Sequence, residues 1–129
     1  MVMSTVLVVE DNVTQQQLIC WVLKKMGLKV ILASDGLEAL EKVQIHSPEL
    51  VILDIVLPHM NGYEVCRRIR ADSKTQKLPV IICSAKKEEF DLYWGMKQGA
   101  DAYMTKPYQA KEIASTVKRF LNNEAQLAG

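Results

Sequence analysis

Leu50-Val51-Ile52-Leu53-Asp54-Ile55-Val56-Leu57-Pro58-His59-Met60-Asn61-Gly62 is the stretch on which the fold of this chain turns. Four consecutive apolar residues, two of them β-branched, have the length and composition of a strand covered on both faces. A carboxylate follows at once. Asp54 at the end of such a run is costly to bury unless it has work to do, which makes it a candidate functional group. Working outward, apolar runs of strand length recur at residues 6–9, 30–33, 80–83 and 102–104, each followed by a longer stretch with helical period. The runs at 6–9, 50–53 and 80–83 are continuous, the pattern of strands in a parallel sheet with helices on both sides. The helical stripes are Leu18, Ile19, Val22, Leu23 and Met26; Leu37, Leu40 and Val43; Val65 and Ile69; and Ile113, Val117 and Leu121. Gly27 and Gly99 stand where the first and fourth helices should stop, and Pro48 and Pro79 lie in loops leading into strands. The reading is β-α repeated five times. Right-handed crossovers then give a doubly wound sheet, with ligand chemistry at the carboxyl ends of its strands.

At 129 residues, 49% apolar and 24% charged, the chain has the size and composition of one globular domain, expected to span residues 1–129. Its core should run from about residue 5 to 122, with a short polar tail after it. A net charge of +1 provides no broad field for nucleic acid or an acidic membrane. Cys20, Cys66 and Cys83 are odd in number and lack metal-ligand spacing, which suits a reducing cytoplasm. The apolar run near the N-terminus meets Glu10 and Asp11 too soon to be a signal-peptide core or a membrane span.

Parallel topology brings the strand ends together, so Glu10 and Asp11, Asp54, Ser84 and Lys106 converge on one shallow cleft. Like charges about 4 Å apart repel by about 4 kcal/mol at an effective dielectric of about 20, so three clustered carboxylates call for a cation. Oxygen-only donors favour Mg²⁺, or Mn²⁺ in its place, over zinc. A divalent cation, a lysine and a hydroxyl around a carboxylate suit phosphoryl transfer, where catalysis is mainly positioning and charge stabilisation. Asp54 would be the nucleophile.

These residues resemble those of a response-regulator receiver domain of the CheY type, and the likeness covers nearly the whole chain. Asp54 through Gly62 resembles the phosphoacceptor motif D-x-x-[ML]-P-x-M-x-G; Glu10-Asp11 resembles the acidic pair, and Ser84-Ala85 and Lys106-Pro107 complete the set. The resemblance implies a flavodoxin-like (βα)5 fold with strand order 2-1-3-4-5. It implies that Asp11, Asp54 and the Val56 carbonyl bind Mg²⁺ directly, that Glu10 acts through water, and that Ser84 and Lys106 hold phosphate oxygens. Tyr103 resembles the aromatic switch that turns inward when the Ser84 hydroxyl moves to the phosphate. The implied partners are a histidine kinase or histidine phosphotransfer protein upstream, and a downstream protein target on the face formed by the fourth helix, fifth strand and fifth helix. Chemotaxis, motility and phosphorelay roles all fit, without direct contact to nucleic acid or membrane insertion.

Val56 and Lys86 occupy the two flanking positions that vary in the family and tune how readily water attacks an aspartyl phosphate. Val56 carries no polar group to orient water. Trp21 and Cys20 fall off the stripe of the first helix, and Phe90, Leu92, Tyr93, Trp94 and Met96 exceed what one inward face of the fourth helix needs. His46 and His59 read as solvated side chains rather than ligands. A phosphohydrolase of the haloacid-dehalogenase type would need a second aspartate at the Val56 position. A flavin binder would need phosphate donors where Glu10-Asp11-Asn12 stands. A degenerate receiver used as a scaffold would lack some of the five site residues, all of which are present.

Overall fold

The structure is a computed structural model that describes residues 3–128, with side chains described through Leu121. Five strands alternate with five helices: β1 (Thr5–Val9), α1 (Val13–Lys25), β2 (Lys29–Ala33), α2 (Gly36–His46), β3 (Leu50–Leu53), α3 (Gly62–Ala71), β4 (Val80–Ser84), α4 (Glu89–Lys97), β5 (Ala102–Thr105) and α5 (Ala110–Ala128). All strand pairs are parallel, in the order β2-β1-β3-β4-β5. The doubly wound α/β architecture expected from the alternation of runs is therefore the one observed.

Successive strand residues point to opposite faces, and the core divides accordingly. Val6, Val8, Ile52 and Ile81 meet Ile19, Val22 and Leu23 of α1 and Ile113 and Val117 of α5. Leu7, Val9, Val51, Leu53 and Ile82 meet Ala39 and Val43 of α2 and Val65 and Ile69 of α3. Helix starts are set by side chains. Asn12 caps α1 by accepting from the Gln15 N–H, Asp35 caps α2 at Glu38, and Asn61 caps α3 at Glu64.

Two helices depart from the apolar stripes. Leu37, expected on the buried face of α2, is exposed, and Gly36 and Ala39 take the inward positions. The cause is close approach: a Cβ on Gly36 would lie 2.7 Å from the Met60 Cβ and 2.9 Å from a Val65 methyl, so only small residues fit there. On α4 the buried residue is Gly95, while Phe90, Leu92, Tyr93, Trp94 and Met96 are all exposed. The backbone of α5 continues to Ala128, through the segment read as a polar tail, whose side chains lie outside the described ones.

Candidate functional site

Register alone brings the polar residues together. Val9 pairs with Ala33 and with Leu53, Leu53 with Ile82, and Ser84 with Thr105, so the strands end nearly level. Each functional residue then sits on the last rung. Glu10 N–H donates to the Ala33 carbonyl at 3.0 Å, Asp54 N–H to Val9 at 3.1 Å, and Lys106 N–H to Ser84 at 2.8 Å. The backbone under these side chains is held by the sheet rather than by a loop, which fixes their relative positions.

Glu10, Asp54 and Ser84 are the buried polar residues among those described, at 2%, 7% and 1% exposure. Lys106 Nζ lies between the two acids, 2.6 Å from Glu10 Oε1 and 3.0 Å from Asp54 Oδ2. Burial works against the lysine's charge, yet its bonds to the carboxylates outweigh burial and hold the ammonium above the usual lysine range. Burial likewise raises the Glu10 carboxyl, although Lys106 and the Asn12 N–H pull it back. On its other oxygen Asp54 accepts from the Ile55 N–H at 2.7 Å and, more weakly, from Val56 at 3.4 Å. Asp54 Oδ2 therefore faces the cleft beside the ammonium, while Oδ1 is tied to the backbone.

Asp11 is exposed at the rim, and carboxylate oxygens of Glu10, Asp11 and Asp54 lie within 4.8 Å of one another. Three hard oxygen donors at that spacing, two of them buried beside a low-dielectric core, fit Mg²⁺ or Mn²⁺ and suit zinc poorly. Gly62 makes the turn after the aspartate possible. Its N–H donates to Ile55 at 2.8 Å, and a Cβ there would collide with the Asp54 carbonyl oxygen and lie 2.8 Å from the Ile55 Cα. The phosphoacceptor-like motif thus ends in glycine for a steric reason.

Ser84 Oγ accepts from the Lys86 N–H at 3.3 Å, and the Lys86 carbonyl accepts from the Tyr103 hydroxyl at 2.6 Å. Tyr103 is partly buried, and burial pushes its hydroxyl up to about 12. Val56 is exposed at the rim, as is Lys86. The residues singled out from sequence are thus gathered at one end of the sheet, with Tyr103 joined to them through the backbone of Lys86.

His59 is exposed, as read from sequence; what the sequence did not mark is its φ of 68° and its pairing with Asp35 at 3.2 Å, which ties the loop after Asp54 to the start of α2. A second residue went unread. Tyr108 is buried in the core with a hydroxyl that has no hydrogen-bond partner. Its place directly after Lys106-Pro107 was the available signal, but an aromatic beside a strand end reads simply as core.

Fold and site together define a doubly wound α/β module with a carboxylate–lysine cleft at the ends of its strands, and comparison with known proteins gives its family. Residues 6–118 match the response regulator receiver domain, and the chain belongs to that family. It is 43% identical over 118 residues to the alkaline phosphatase synthesis transcriptional regulatory protein PhoP of Bacillus subtilis, covering 90% of this chain and 48% of PhoP. It is 34% identical over 119 residues to protein PilH of Pseudomonas aeruginosa, covering 92% of this chain and 98% of PilH. Among solved structures, the chemotaxis protein CheY4 of Vibrio cholerae superposes with a TM-score of 0.87 at 28% identity, covering 93% of this chain and all of CheY4. The chain thus spans about half the length of PhoP and nearly all of PilH. Receiver domains are phosphoacceptor signalling domains that bind Mg²⁺ at an acidic pocket, are phosphorylated by histidine kinases and act on downstream targets. Among the described residues, no helix is long and apolar enough to cross a membrane.

Proposed function

We propose that this chain is a response-regulator receiver that accepts a phosphoryl group on Asp54 and thereby switches a protein-binding surface. The observation that carries the reading is the placement of Asp54. It is a buried carboxylate with one oxygen pinned by backbone N–H groups and the other 3.0 Å from the Lys106 ammonium, beside two further acids. The donor is a phosphohistidine on a histidine kinase or histidine phosphotransfer protein. Asp54 Oδ2 attacks phosphorus, a P–O bond forms, the P–N bond breaks, and the departing imidazole nitrogen keeps the electron pair and takes up a proton. Lys106 and Ser84 hold the phosphoryl oxygens. Asp11, Asp54 and the Val56 carbonyl would hold Mg²⁺, with Glu10 acting through water, and the bound ion would supply positive charge against the carboxylate and phosphoryl oxygens. Hydrolysis by water later cleaves the new P–O bond and restores the carboxylate, at a rate that the exposed flanking residues Val56 and Lys86 tune.

When Ser84 turns toward the phosphoryl group it leaves the Lys86 N–H, and Tyr103 responds through the backbone of that same residue. The surface so altered is the face of α4, β5 and α5, where a downstream protein docks. The likeness to a chemotaxis protein supports chemotaxis or motility signalling as the pathway class. Three free thiols, Cys20, Cys66 and Cys83, favour the cytoplasm.

The test is intact mass after incubation with Mg²⁺ and acetyl phosphate. A phosphate adduct that needs Mg²⁺ and vanishes in Asp54→Asn supports the reading. Its absence from wild type, together with no binding of Mg²⁺ or beryllofluoride, would leave a phosphorylation-independent scaffold. For the tuning role, Val56→Asn is expected to shorten the phosphoryl lifetime, and an unchanged lifetime would reduce Val56 to its carbonyl.

A further inference from the structure

Glycine is the poorest helix former after proline, yet one stands inside α4. Backbone conformation does not explain it: the glycines with positive φ among the described residues are Gly27 and Gly99. Space does. A Cβ on Gly95 would lie 3.0 Å from Tyr103 Cδ2, 3.2 Å from Tyr103 Cε2 and 3.3 Å from Ile82 Cδ1. Those separations are below ordinary carbon contact, so a neighbour would have to give way. Ile82 is fully buried in β4 and backed by Leu7, Val9 and the rest of its cluster. Tyr103 is only partly buried and carries a polar end, so the ring is the group that would move.

We propose that Gly95 is a positioning residue: its missing side chain seats the Tyr103 ring beneath α4, and through that ring it couples the outward face of α4 to the aspartate site. The seat brings the Tyr103 hydroxyl to the Lys86 carbonyl at 2.6 Å, and the Lys86 N–H reaches Ser84 Oγ at 3.3 Å. The backbone of Lys86, in the loop between β4 and α4, therefore links the ring seated beneath α4 to the Ser84 hydroxyl at the end of β4. The coupling half of this inference rests on Asp54 being the phosphoacceptor; the seating half does not. The same seat accounts for why α4 buries a glycine and little else. The ring occupies the volume that the helix's own side chains would otherwise fill.

The experiment compares wild type with Gly95→Ala in the full chain, alone and with Tyr103→Leu. Alanine is the better helix former, so a purely structural change should not lower the melting temperature. The seat predicts loss of the NMR cross-peaks between the Tyr103 ring and the Ile82 methyls. Because coupling is reciprocal, a switch that favours the seated ring predicts about fivefold or weaker binding of beryllofluoride with Mg²⁺ in Gly95→Ala. In the Tyr103→Leu background, where the ring is gone, Gly95→Ala should leave that affinity unchanged. Cross-peaks that survive in Gly95→Ala overturn the seat. Equal beryllofluoride affinity, or a loss that persists without the ring, overturns the coupling. Wild type that binds no beryllofluoride sinks the Asp54 reading and the coupling with it, leaving the cross-peaks to decide the seat. Should Gly95→Ala fail to fold, folding of the double variant places the clash at the ring and supports the seat, and failure of both overturns it.

Discussion

α3 leads into β4 and α4 leads out of it, and at 10 and 9 residues the two helices are nearly equal in length. α3 buries Gly62, Val65, Cys66 and Ile69 and turns Arg67 and Arg68 to solvent. α4 does the reverse, burying Gly95 and exposing Phe90, Tyr93, Trp94 and Met96. The same sheet is therefore covered in two ways, once by a helix whose side chains form core and once by a helix that rests on its backbone. Stability follows the first kind of cover and adaptability the second, because local opening is easiest where few apolar contacts are lost.

The largest contrast should come from truncating one side chain on each. Ile69→Ala removes buried methylenes from a packed cluster and is expected to lower unfolding stability by about 2–5 kcal/mol. Leu92→Ala, at a position already 36% exposed, should cost less than about 1.5 kcal/mol. Urea denaturation of both variants decides it, and losses of equal size would erase the distinction between the helices.

Arg70 sharpens the comparison because it crosses from one helix to the other's exit. Its guanidinium donates to the Gly99 carbonyl at 2.9 Å, the Leu78 carbonyl at 2.6 Å and Asp101 Oδ2 at 2.6 Å, and Asp101 also accepts from the Val80 N–H. The end of α3 is thereby stitched to the turn between α4 and β5. Arg70→Ala should lower stability by about 1–3 kcal/mol, since partly buried acceptors lose a charged donor. Hydrogen exchange of wild type should show α4 amides less protected than those of α3 by about tenfold, equivalent to about 1.4 kcal/mol. Equal protection would mean that α4 is held by something other than its own side chains and Tyr103.

How far this was legible in the sequence differs between the same two helices. The strands, their order of appearance and the convergence of Glu10, Asp54, Ser84 and Lys106 could be read because continuous apolar runs and residues placed at their ends are local signals. Val65 and Ile69 read as core because their spacing matches one face of α3. The surplus of aromatics on α4 was visible too, but not that Gly95 would be the inward residue, since that depends on a ring arriving from β5. Gly36 in place of Leu37 was hidden for a similar reason: the approach of α2 to Met60 is set by tertiary packing. Pairings such as His59 with Asp35 and Arg70 with Asp101 join residues far apart in sequence, where no periodicity marks them.

The smallest expected effect tests the outward face itself. Phe90 and Trp94 stack one helical turn apart, with centroids 6.2 Å apart and planes within 8°, and both rings remain exposed. A pair at this spacing on a helix surface contributes about 0.2–0.5 kcal/mol, so Trp94→Ala should change stability by no more than about 0.5 kcal/mol. That near-neutrality is the informative result. Large aromatic rings on a helix that gains almost nothing from them by folding are surface of the kind that anchors protein contacts, where tryptophan and its neighbours contribute most of the binding energy. Trp21 supplies the control on the opposite side of the molecule. It is also exposed, but among the described residues it stacks on no other aromatic ring, and the Lys25 ammonium lies 5.6 Å from its centroid. A loss of 2 kcal/mol or more in Trp94→Ala, on the scale of about 3–5 kcal/mol for a buried aromatic, would show that the stack supports the fold, and the contrast between α3 and α4 would then be one of degree.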